Sequence, residues 1–237
     1  MWRRVAQPFK QEYKTVLFDY VGSGRSDMSA YDAERYGTLQ GYATDVIEVC
    51  EALDLRQAIL VGHSVSSMTC MLAAIAIPER IDRLVMVCPS PRYLNDPPEY
   101  EGGFERADID VLLDLIARDQ RGWAKYMAGI VVHCPGQTVV AEELEATFCG
   151  MEPQVARRFA AATFLSDCRE QLVESTTPSL ILQCADDLLV PPLVTEYLHA
   201  HLPNSTLRHM NATGHCPHLT DPGETIQCIR EFLRQSA

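Results

Sequence analysis

Short apolar runs without strict alternation, each followed by a helical segment, constrain this chain most. TVLFDY (15–20), AILVGH (58–63), RLVMVCPS (83–90) and SLILQCADD (179–187) are rich in Val, Leu and Ile; a weaker fifth run, STLRHMNATGH (205–215), follows. Such runs predict strands buried on both faces, the pattern of a parallel sheet covered by helices. Between them, LQGYATDVIEVCEALDL (39–55) puts Tyr42, Val46, Val49, Ala52 and Leu53 on one helical face. SMTCMLAAIAIPER (67–80) is apolar nearly all round, and TIQCIREFLRQSA (225–237) is amphipathic. Strands alternating with helices predict an α/β fold with a mostly parallel sheet.

Residues 91–171 break the rhythm. Pro91, Pro97, Pro98, Gly102 and Gly103 mark a loop, and helical segments follow at 104–120, 122–132, 140–149 and 152–167, punctuated by Pro135-Gly136 and by 150–153. The expected organisation is a core of residues 1–90 and 172–237 with a helical lid, 91–171, over the strand ends. Trp123, Tyr126, Met127, Phe148, Phe159 and Phe164 are expected mainly to pack lid helices together, with some facing a substrate.

The bulk charge narrows the function classes. With 20 basic and 32 acidic residues the net charge is −12. An acidic surface repels phosphate backbones, so nucleic acid is not an expected partner. No segment reaches the roughly 18 apolar residues of a membrane span, so no membrane is expected either. The N-terminus lacks the apolar stretch of a signal peptide. The nine cysteines are scattered without C-x-x-C spacing; Cys50, Cys70, Cys88 and Cys184 lie among apolar neighbours. They are expected to be small buried groups in a reducing, cytoplasmic setting.

In open α/β sheets, sites lie at the carboxyl ends of strands. Ser64 stands there, in GHSVS (62–66), directly after the strand at 58–63. A nucleophile elbow holds its serine in a strained turn with small flanking residues, and places the next N–H, here that of Val65, at a helix N-terminus where it can stabilise an oxyanion. The usual motif is G-x-S-x-G; position 66 is Ser rather than Gly. The competing reading is that Ser64 caps the following helix. A serine nucleophile needs a base and an orienting carboxylate, in the chain order Ser, Asp, His. Asp187 follows the strand in SLILQCADD, and His215 follows the last apolar run in ATGH. Asp186 competes with Asp187 for the acid; the spacing to Pro191 favours Asp187. His215/His218 and His199/His201 lack a third ligand nearby in sequence, so neither pair predicts a metal. Gly22-Ser23-Gly24 lacks the third glycine of a dinucleotide fingerprint, with Asp at 27, and is expected to be a tight loop.

FDYVGSGRSD (18–27), GHSVSSM (62–68), PSPRYLNDPPEYEGGF (89–104), ILQCADDLLVP (181–191) and GHCPHL (214–219) together resemble the RsbQ-like branch of the α/β hydrolases. That branch includes the bacterial stress regulator RsbQ and the plant karrikin and strigolactone receptors, and GHSVS without the last glycine is usual there. The resemblance runs from about residue 2 to the C-terminus. It implies Ser64 as nucleophile, Asp187 as acid and His215 as base. It further implies a V-shaped four-helix lid over a small hydrophobic pocket, slow hydrolysis of small hydrophobic esters or lactones, no cofactor or metal, and a signalling phosphatase as partner in stress sigma-factor regulation. The alternative is a ligand-sensing regulator with little turnover. The family's usual start lies upstream of Met1. The resemblance therefore implies that the first strands, and a loop supplying the second oxyanion donor, are not in this chain. The strands at 15–20 and 58–63 would then face a gap, and an N-terminally truncated, inactive fragment is the expectation that follows.

Overall fold

Among the described residues four parallel strands carry the molecule: β1 (Ala58–His63), β2 (Ile81–Val87), β3 (Ser179–Gln183) and β4 (Ser205–His209), hydrogen-bonded in the order β1-β2-β3-β4. The computed structural model describes residues 1–134 and 136–235. Pro135 of the expected Pro135-Gly136 break, and the last two residues of the expected terminal helix, lie outside the described residues. The helices are α1 (Arg3–Ala6), α2 (Leu39–Ala52), α3 (Val65–Ala76), α4 (Arg106–Arg118), α5 (Gln120–Val132), α6 (Thr138–Cys149), α7 (Pro153–Phe164), α8 (Pro192–His201), α9 (Pro217–Thr220) and α10 (Pro222–Arg234).

The central strands have the side-chain burial that their composition predicts. Every residue of β3 is buried, as are Leu84 to Val87 of β2. One face packs on α2, α3 and α8 through Met68, Met71, Leu84, Met86, Ile181 and Leu198; the other packs on α1 and α10 through Val85, Val87, Leu180, Leu182, Ile229 and Phe232.

Two expectations need correction. TVLFDY (15–20) is not a strand: it has no ladder partner among the described residues, and Leu17 and Phe18 are 53% and 44% exposed. A strand exists only through a neighbour that takes up its N–H and C=O groups. β1, the strand nearest to this run in sequence, pairs only with β2 among the described strands and is mostly half-buried. The second correction concerns α2. Its inward stripe runs Leu39, Tyr42, Ala43, Val46, Cys50, while Val49 is half-buried and Ala52 and Leu53 are exposed. The 3.6-residue period carries those last positions away from the sheet.

Between β2 and β3 the chain makes α4 to α7. The α4 start is closed by a reciprocal cap between Glu105 and Asp108, and Asp119 caps α5 by accepting from the Gly122 N–H. These helices share one apolar cluster with Tyr93, Leu189, Val190 and Cys216, residues of the loops at the carboxyl ends of the strands, and with Leu219 of α9. Trp123, Met127 and Phe164 are buried there, Phe148 packs on Trp123, and Tyr126 is 63% exposed.

All nine cysteines are free; seven are buried, and Cys134 and Cys149 are partly exposed. Burial pushes the Cys70 and Cys168 thiols up to about 12. A thiol reagent at mildly alkaline pH is expected to modify Cys134 and Cys149 in the folded protein, and all nine cysteines in denaturant. Rapid native labelling of Cys70 or Cys168, read by peptide mass spectrometry, would contradict this packing.

Candidate active site

Ser64 has φ 55° and ψ −127°, a conformation that non-glycine residues adopt only under constraint. It sits between the last residue of β1 and the first of α3. The constraint is visible on both sides. The Ser64 N–H donates to the Val87 carbonyl of the neighbouring strand, and the Ser67 N–H donates back to the Ser64 carbonyl. Gly62 is required because a Cβ there would lie 2.5 Å from the Ser66 carbonyl oxygen. Ser66 stands in place of the usual second glycine, beside the buried Tyr20 phenol. Ser64 makes no side-chain cap to α3, so the helix-capping reading is not the one realised. Val65 opens α3, where first-turn N–H groups have no acceptor within the helix.

The three residues far apart in sequence come together. Ser64 Oγ lies 2.7 Å from His215 Nε2, and His215 Nδ1 lies 2.7 Å from Asp187 Oδ2. The other oxygen of Asp187 accepts from the Leu189 and Val190 N–H groups at 2.9 and 3.1 Å. Burial alone would push the Asp187 carboxyl up. The His215 ring and the two backbone N–H groups overcome this and hold it below its ordinary value, so it is ionised at neutral pH. Asp186 points elsewhere, 3.2 Å from His133 Nε2 at the surface, and only its backbone carbonyl takes part, accepting from the Gly214 N–H.

His215 is held by its loop as much as by its ring. Its N–H donates to the Val131 carbonyl at 2.7 Å, at the end of α5, and its own carbonyl accepts from His63 Nε2 at 2.6 Å. Gly214 has φ +77°, and a Cβ on it would lie 2.1 Å from the Val132 carbonyl oxygen. The loop that carries the imidazole therefore presses directly on the C-terminal turn of α5.

A model of the alpha/beta hydrolase fold matches residues 1–222. The chain belongs to the α/β-hydrolase family. A hydrolase from Oleispira antarctica superimposes with a TM-score of 0.96 at 41% identity, covering 99% of this chain and 86% of that one. A karrikin insensitive 2 receptor from Petunia hybrida is 38% identical over 98% of this chain and 86% of its own length. A strigolactone esterase from Pisum sativum is 34% identical over 99% and 88%. Plant receptors and bacterial hydrolases together are what the RsbQ-like branch contains.

In this α/β hydrolase one residue of the site was not legible in the sequence. The Tyr93 hydroxyl lies 2.9 Å from Ser64 Oγ. Tyr93 is fully buried, between Phe164 and Phe104, and burial pushes its phenol up, so it stays protonated and able to donate. With the Ser64 hydroxyl donating to His215, the Tyr93 O–H is the donor of the second bond. Two concavities lie away from Ser64, one bordered by Arg121, Glu142 and Glu145 and one by Arg208, Asn211 and Glu224, and their charged rims do not suit a hydrophobic ester.

Proposed function

We propose that this α/β hydrolase is a serine hydrolase of small hydrophobic esters or lactones, with Ser64 as nucleophile, His215 as general base and acid, and Asp187 as the orienting carboxylate. The observation that carries the reading is the continuous line of two 2.7 Å contacts from Ser64 through His215 to Asp187, with Ser64 in the strained turn. Asp187 fixes the proton of His215 on Nδ1, leaving Nε2 free to accept from Ser64. Ser64 Oγ attacks the carbonyl as His215 takes its proton. The oxyanion that forms is directed at the Val65 N–H. Collapse of this intermediate breaks the ester bond, and His215 returns the proton to the leaving oxygen. Water, activated by the same imidazole, then releases the acid and restores Ser64. Residues 91–171 serve as the lid, over a core of residues 1–90 and 172–237; the apolar cluster shared by α4 to α7 and the strand-end loops supports this division.

The test is rapid mixing with a short p-nitrophenyl ester and with a butenolide lactone. The expected result is a burst of one product equivalent per chain followed by slower turnover. Absence of any acyl-enzyme with either substrate, in protein that melts cooperatively, would contradict the reading. Tyr93→Phe is expected to lower kcat/KM by about tenfold or less, because a neutral hydrogen bond is worth roughly 0.5–1.5 kcal/mol. A loss of a thousandfold would assign Tyr93 to the chemistry itself.

A second reading is supported by the relative named as a receptor, at 38% identity. In it the protein senses a small ligand with little turnover and acts through a partner, in the RsbQ-like case a signalling phosphatase of stress sigma-factor control, in the cytoplasm. The buried free thiols support a reducing compartment. Turnover above about 1 s⁻¹ favours the metabolic reading; a single slow turnover with ligand-dependent phosphatase binding favours the sensor.

A further inference from the structure

Beside the triad, and outside it, lies a second cluster. His63 closes β1 just before Ser64, while Cys216 and His218 follow His215 into α9. One ring nitrogen of each histidine and the Cys216 sulfur all lie within 4.8 Å of one another, and His63 Nε2 is 3.8 Å from Cys216 Sγ. Tetrahedral zinc, with bonds of about 2.0–2.3 Å, holds such donors roughly 3.3–3.8 Å apart; His63 and Cys216 stand at the upper end of that spacing, and wider members of the set must draw in by up to about 1 Å.

His218 supplies a second, independent observation. It is fully buried, and neither ring nitrogen has a hydrogen-bond partner among the described residues. An interior rarely leaves an imidazole wholly unpaired. Its ring is held between Trp2, stacked at 4.6 Å, and His63 at 4.4 Å between centroids. Burial, with the neighbouring histidine rings, keeps both imidazoles in the neutral form that ligates a metal: His63 is pushed down to about 3 and His218 well below its ordinary value. The Met1 amine and Arg4 work against a cation here, but Arg4 is already engaged by the Leu219 carbonyl and Glu143. Burial pushes the Cys216 thiol up, so the cation must displace its proton, and the thiolate then formed supplies the compensating charge. His63 is the least buried of the three.

We propose that His63, Cys216 and His218 form a site for a thiophilic divalent cation, Zn²⁺ foremost, with water in the fourth position. Binding releases one proton to solvent, from the Cys216 thiol. The His63 proton moves from Nε2 to Nδ1, so that Nε2 can ligate. That Nε2–H now supports the His215 carbonyl, and its loss loosens the loop that carries the imidazole. The loaded protein is therefore the less active form, a consequence that rests on the hydrolase reading although the site itself does not.

The test uses the full chain titrated with Co²⁺. The expected result is a thiolate-to-cobalt charge-transfer band in the near ultraviolet with visible bands of a tetrahedral ion, saturating at one equivalent, abolished by Zn²⁺ and accompanied by release of one proton. Cys216→Ser removes the band and weakens Zn²⁺ binding by at least about tenfold, the least that even outer-shell changes cost a metal site. Cys149→Ser retains the band. Should Cys216→Ser fail to fold by circular dichroism, His218→Gln takes its place, with the same weakening expected. No charge-transfer band in folded wild-type protein, or a band that survives in folded Cys216→Ser, overturns the site. Labelling of Ser64 by a fluorophosphonate in metal-free protein reports on the hydrolase reading separately.

Discussion

Replacing Ser64 by alanine is expected to lower kcat on a short p-nitrophenyl ester by about 10⁴- to 10⁶-fold, and His215→Ala by a similar factor. Asp187→Asn is expected to cost about 10⁴-fold, because the amide cannot hold the Nδ1 proton and the imidazole turns to the wrong tautomer. The pattern matters more than any single value. The three residues form one line of hydrogen bonds, so once one link is cut the others have nothing left to contribute. The Ser64→Ala/His215→Ala double variant should be no slower than either single variant. Multiplied losses would mean that the two residues act independently, and the relay would then be wrong. The expected Asp186→Asn effect is small, since its carboxylate faces His133 at the surface.

The second large effect is structural and far from obvious in the sequence. Gly214→Ala is expected to lower kcat/KM by about a hundredfold or more, the scale of a 1 Å misplacement of a catalytic group. The methyl group would meet the Val132 carbonyl oxygen at 2.1 Å, a backbone atom that cannot rotate away, at a φ of +77° that disfavours alanine. Either the 210–216 loop or the end of α5 must move, and the loop carries His215. Gly136→Ala is the control. That glycine also has positive φ, +83°, but nothing lies within 4 Å of its added Cβ. It should cost about 1–2 kcal/mol of stability from the backbone alone and leave turnover near wild type. Equal effects of the two substitutions on kcat/KM would show that backbone strain, not the α5 contact, governs the His215 loop.

These two results also mark what could and could not be seen in the amino-acid order. Ser64, Asp187 and His215 were legible because each follows an apolar run, and a parallel sheet sends every such run's end to one rim. The choice between Asp186 and Asp187 turned on a single residue of spacing, and the backbone N–H groups of Leu189 and Val190 settle which carboxylate turns inward. The run at 15–20 has strand composition yet forms none, because composition is local and pairing is not. The outer positions of α2 were misjudged because a 3.6-residue period read from one end drifts over four turns. Tyr93 was hidden in a loop, and its contact with Ser64 spans a chain separation that no spacing rule reaches. The His63, Cys216 and His218 cluster was missed similarly: the two histidines after β4 showed no third ligand until β1 brought His63 beside them.

The claim that the strained serine on the β1–α3 turn is the nucleophile is tested most directly by a fluorophosphonate probe followed by peptide mapping. The predicted result is one label per chain, on Ser64, lost in Ser64→Ala and strongly slowed in His215→Ala. A label on any other serine, or none on folded protein that still hydrolyses esters, would contradict it.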